Sequence, residues 1–86
     1  MPENVALILR FHLMGGEDVS VVSGDFEGEP EAVAAIARAV DERHSLVLMR
    51  ARYDRETDVN GMVINLANVV SVRVSKTDSA EAGQYL

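Results

Sequence analysis

Residues 54–61, DRETDVNG, set Asp54, Glu56, Asp58 and Asn60 at alternate positions, the oxygen-rich opening of a calcium-binding loop. Such a loop also needs a glycine at its sixth position, for the sharp turn, and a bidentate glutamate at its twelfth. Here the glycine, Gly61, falls at the eighth position and the twelfth residue is Asn65, so the stretch reads as a polar hairpin connection. His12 and His44 have no carboxylate or second histidine at helical ligand spacing, and no metal site is expected. Ser20, Ser23, Ser45, Ser71 and Ser75 lack the glycine-flanked turn that presents a nucleophile. GGED and SGDFEGEP lack the lysine and hydroxyl residue that complete a phosphate-binding loop, and they place acids where the phosphate would sit. With no cysteine there is no thiolate chemistry. The sequence therefore predicts no enzyme and no cofactor.

The side chains left for recognition are arginines, and their placement is uneven. Net charge is −6, yet residues 17–31 carry six acids (Glu17, Asp18, Asp25, Glu27, Glu29, Glu31) and no base, whereas residues 43–76 carry six bases against three acids. An acidic total argues against sequence-independent binding to nucleic acid, whose affinity comes mainly from neutralised phosphates. The acidic segment could instead meet an arginine-bearing face on a second copy, head to tail.

The elements that must position these groups follow from periodicity. VALILRFHLM, residues 5–14, alternates: Val5, Leu7, Leu9, Phe11 and Leu13 share one face, and Ala6, Ile8, Arg10, His12 and Met14 the other. GGED turns the chain into a second strand with Val19 and Val21 on one side. Residues 30–44, PEAVAAIARAVDERH, read as a helix started by Pro30, with Glu29 and Glu31 at the positive end of its dipole. Val33, Ile36, Ala37 and Val40 form the expected buried stripe, so Ile36→Asp should unfold the domain. Residues 45–54 alternate again. Val47, Met49, Ala51 and Tyr53 are assigned inward, because the opposite register would bury Arg50 and Arg52; Leu46 and Leu48 then face outward.

Residues 61–75, GMVINLANVVSVRVS, are too long for one straight strand. Fourteen residues at about 3.4 Å would reach nearly 48 Å, whereas a domain of this size is roughly 30 Å across. A break at residues 66–68, where asparagines favour local side-chain to backbone bonds, gives strands over 62–66 and 69–75. A single strand with a bend is the alternative. Met62, Ile64, Leu66, Val70, Val72 and Val74 are expected inward, and Val63, Val69 and Arg73 outward.

Together these elements predict an α+β domain over residues 1–76: a single antiparallel β-sheet in the order β-β-α-β-β(-β), with one helix packed on one face, followed by a flexible tail over 77–86. Its outer sheet face would carry Arg10, His12, Arg50, Arg52 and Arg73 around Ile8, Leu46, Leu48, Val63 and Val69. An apolar patch edged by arginines suits a protein interface. The expectation is a non-enzymatic interaction module that forms a homo-oligomer through this face or a sheet edge, with Leu48→Asp giving a folded monomer. The alternative is a small regulator that binds nucleic acid or another anion through Arg10, Arg50, Arg52 and Arg73. Neither a signal peptide nor a membrane span is read at the N-terminus, so a cytoplasmic protein is expected.

The segment INLANVVSVRV, in a chain with seven arginines to one lysine and abundant alanine and valine, resembles the closing segment of small uncharacterised ββαββ-type proteins of actinobacteria and their phages. That resemblance implies no activity. VINLANVVSV is also similar to the last strand of LytTR-type DNA-binding domains, which are basic and all-β; the acidic charge and central helix here depart from them, and no DNA contact is carried over.

Overall fold

A computed structural model describes residues 4–77. Five strands and one helix follow in the order β1 (Val5–Leu13), β2 (Asp18–Phe26), α1 (Glu29–Asp41), β3 (Leu46–Tyr53), β4 (Asn60–Ile64) and β5 (Val69–Lys76). The strands form a single antiparallel sheet, ordered β4-β3-β2-β1-β5, as the α+β reading expects. The expected tail lies outside the described residues, apart from Thr77.

β1 and β2 form a hairpin closed by Leu13 N–H to the Glu17 carbonyl and Gly16 N–H to the Leu13 carbonyl, both at 2.9 Å. Gly16 has φ 91°, which a residue with a Cβ adopts only with strain. α1 begins with Pro30 and two acids in its first turn. At its other end Arg43 takes φ 58°, while Arg43 N–H bonds the Val40 carbonyl (3.2 Å) and His44 N–H the Ala39 carbonyl (3.0 Å). This is the paired-bond helix stop that usually has glycine at the left-handed position.

Residues 61–75 are two strands separated at residues 65–68, as the size argument requires. Asn65 Oδ1 accepts from Ala67 N–H at 2.9 Å, the local bond expected of an asparagine at a hinge. This short link joins the two opposite edges of the sheet. In a flat sheet β4 and β5 would be four spacings, about 19 Å, apart. Five Cα steps, at most about 3.6 Å each along a fully extended chain, fall just short of that. Here the link is folded, with Val69 N–H bonded to the Leu66 carbonyl and Met14 N–H to the Asn68 carbonyl. The sheet must therefore curl so that β4 and β5 approach one another at this end, as in an incomplete barrel. Phe11, Val21, Tyr53, Ile64 and Val69, drawn from all five strands, accordingly line one common cavity of about 250 Å³.

Leu7, Leu9 and Phe11 of β1 and Val21 of β2 are buried on the concave side, as alternation predicts. Three other facings differ from expectation. In β3 the buried residues are Leu46, Leu48 and Ala51, while Val47, Met49 and Arg50 are exposed. The cause is a register shift between Leu48 and Ala51 against β4, which inserts one residue and reverses the parity of the strand's first half. In α1 the buried stripe is Ala32, Ile36 and Ala39; Val33, Ala37 and Val40 are exposed. Small side chains let the helix sit close inside a curled sheet, where it touches β2, β3 and β5. In β5, Val69 packs against the core and Val70 is exposed, because the pairing with β1 shifts between His12 and Leu13.

Candidate functional site

The outer face is built from rows of directly paired residues. Ile8 lies between Val22 and Ser75, Arg10 between Ser20 and Arg73, and His12 between Asp18 and Ser71. Ile8 is half-buried, and Arg10 and Arg73 are exposed. The Arg10 guanidinium donates through Nε to Ser20 Oγ at 3.3 Å. His12 Nδ1 is bonded to the Asp18 carboxylate. Like charges on directly opposed residues destabilise a sheet, so the Arg10–Arg73 pair is a local cost unless an anion joins it.

The four arginines expected to act together are divided by the fold. Arg52 donates from Nη1 to the carbonyls of Glu56 (2.9 Å), Asp54 (3.3 Å) and Tyr53 (3.5 Å), and so clamps the turn that follows β3. That nitrogen serves the protein's own backbone. Arg50 sits at the bulge in β3, where its N–H and that of Met49 donate to the Asp25 carboxylate at 2.7–3.2 Å. Ser23, fully buried, donates its hydroxyl to Asp25 at 2.7 Å and accepts from Asp25 N–H at 3.1 Å. Only Arg10 and Arg73 stand together on the outer face.

The expected apolar centre of that face is also displaced. Leu46 and Leu48, expected outside, are in the core, and Val69 packs against it from β5. Val63 is exposed as expected, and its paired residue is Val47. The exposed aliphatics gather instead at the two sheet edges. Beside the free edge of β4 lie Val47 (59 % exposed), Met49 (68 %) and Val63 (68 %). Beside the free edge of β5 runs a groove of about 310 Å³ between that strand and α1, where half-exposed Val33 and Val40 face Val70, which is 64 % exposed. Sequence reasoning assigned Val33, Val40, Val47, Met49 and Val70 to the core. The acid at position 25, which bonds the bulge, is one of six in a run, and nothing in the sequence marks the reversed parity.

A depression of about 610 Å³ lies between the end of α1 and the 65–68 turn, and His44 and Ser45 line it. His44 Nδ1 bonds the Ser45 carbonyl at 3.2 Å and Nε2 bonds Glu42 at 2.9 Å. The Ser45 carbonyl first, and the Glu42 carboxylate second, hold the imidazole above its ordinary pKa of 6.5. With an acceptor at each nitrogen the ring is organised as a donor, and it is not placed to take the Ser45 proton. Among the described residues no group of three His, Cys, Asp or Glu side chains could hold a metal, and no helix is long and apolar enough to cross a membrane.

No protein-family model, curated protein or solved structure matches the chain.

Proposed function

We propose that this protein is a non-enzymatic assembly module that forms a homo-oligomer through the two free edges of its sheet. The observation that carries the reading is the flanking of both edges, unpaired among the described residues, by exposed aliphatics: Val47, Met49 and Val63 at β4, and Val33, Val40 and Val70 at β5. A free edge offers unpaired N–H and C=O groups, and edges are usually protected by charge. β4, NGMVI, carries no charged residue.

Charge favours β4 of one copy against β5 of the next. Asp54, Glu56 and Asp58, against the single Arg55, lie in the connection that leads into β4, whereas β5 carries Arg73 and Lys76. A contact between two different surfaces closes into a ring or continues as a filament. The interface is thereby moved from the outer face, where Leu46, Leu48 and Val69 are no longer available, to the sheet edges.

Light scattering across salt concentration tests this. The expected mass is a multiple of 9.4 kDa that persists at high salt, because the contact is largely apolar. Val63→Glu and Val70→Glu should each give a folded chain of reduced mass. Mixed in equal amounts, the two variants should form a heterodimer, since each retains the edge the other lacks. A wild-type chain that stays monomeric at high concentration overturns the proposal, and failure of the mixture to pair overturns the β4–β5 arrangement.

A further inference from the structure

We infer that Arg10 and Arg73, with Ser71 and His12 beside them, form a binding site for the phosphoryl group of a small phosphorylated molecule. Arg10 and Arg73 are directly opposed on β1 and β5, and their side chains share the outer face. Among the described residues neither has an ion-pair partner; the recorded pairs are His12–Asp18, Arg38–Glu42 and His44–Glu42. Arg10 leans onto the Ser20 hydroxyl on the side away from Arg73, which leaves space between the two guanidiniums. A shallow pocket of about 200 Å³ opens there, lined by Arg10, His12, Asp18, Ser71 and Arg73.

Two guanidiniums lining one pocket suit a doubly charged oxyanion, which can accept N–H bonds from each and replaces their mutual repulsion with attraction. Ser71 and His12, paired with one another across the strands, add a hydroxyl and an imidazole one step along the same face. The acid in the pocket, Asp18, is engaged by His12 Nδ1, about 7 Å along the strand from the arginine row.

The volume equals that of about seven water molecules, enough for a phosphoryl group and the first atoms attached to it. Two features disfavour a nucleic-acid strand. Single strands are held by aromatic side chains on which bases stack. Among the described aromatic residues, Phe11 is buried, Phe26 packs against the core, and Tyr53, though half-exposed, pairs opposite buried Val21 on the concave side, away from this face. A net charge of −6 also opposes a long polyanion, whereas a single phosphate responds to the local field of two guanidiniums.

The test is an NMR titration of the full chain with inorganic phosphate, chloride being adjusted to hold ionic strength constant. The expected result is saturable movement of the Arg10 and Arg73 side-chain Nε–H signals. Arg10→Gln and Arg73→Gln should each weaken binding at least about tenfold, and Arg55→Gln, in the β3–β4 connection, should leave it unchanged. Loss of the like-charge pair should leave either variant folded, which its amide spectrum checks. Absence of saturation in the wild-type chain overturns the inference, as does equal binding by the Arg10 and Arg73 variants. A second arm uses a short single-stranded oligonucleotide. Binding more than about tenfold tighter than phosphate, lost in the same two variants, would overturn the small-molecule assignment in favour of nucleic acid.

Discussion

The Asp25 carboxylate accepts hydrogen bonds from Met49 and Arg50 N–H of the neighbouring strand and from the buried Ser23 hydroxyl. It therefore serves the backbone groups that a bulge would otherwise leave without a ladder partner. Asp25→Ala removes these acceptors while Ser23 stays buried. The expected cost is about 2 kcal/mol, read as a lower midpoint in urea unfolding, and a midpoint equal to wild type would refute this role. In the sequence Asp25 is one of six acids in a run, with nothing to separate it from solvated charge. The arginines show the same limit. Arg10, Arg50, Arg52 and Arg73 look alike as residue types, but Arg52 turns one terminal nitrogen to three carbonyls while Arg10 and Arg73 are directly opposed. Which polar group a side chain meets depends on strand order, which a single sequence does not state.

At the scale of the element, the start of α1 was more legible than its end, expected at His44 and found at Asp41, or its facing. Pro30 and the flanking glutamates mark the start, and the structure begins the helix there. The stop is less conventional: Arg43 occupies the left-handed position, at φ 58°, where glycine is common. Arg43→Gly should relieve a backbone strain of about 1 kcal/mol, partly offset by the greater freedom of glycine in the unfolded chain. The net expectation is a gain of roughly 0.5 kcal/mol, measured by chemical denaturation; a loss would show that the Arg43 side chain contributes more than its backbone costs. The buried stripe was misassigned because hydrophobic size is a poor guide when a helix enters a concave surface. Ala32 and Ala39 admit close approach, and the bulkier Val33 and Val40 are left at the groove beside β5.

For the whole molecule, the reversed first half of β3 yields the sharpest test. Leu48→Asp, expected from the sequence to leave a folded monomer, should instead unfold the chain, because Leu48 is fully buried and an unpaired buried carboxylate costs several kcal/mol against a total stability of about 5–15. Val47→Asp, one residue away, should remain folded; circular dichroism separates the two, and a folded Leu48→Asp would restore the original register. Period-two alternation in β1, the helix start and the asparagines at 65 and 68 determined by themselves the sheet, the helix and the hinge, because each rests on local sterics and hydrogen bonding. The facings of β3, α1 and β5 were decided only in the tertiary structure. A link of residues 65–68 forces the sheet to curl, bulges on β3 and β5 shift parity by one residue, and the curled face selects alanines from the helix. Those shifts are cooperative results of closing the sheet, and they moved the exposed aliphatics from the outer face to its two edges.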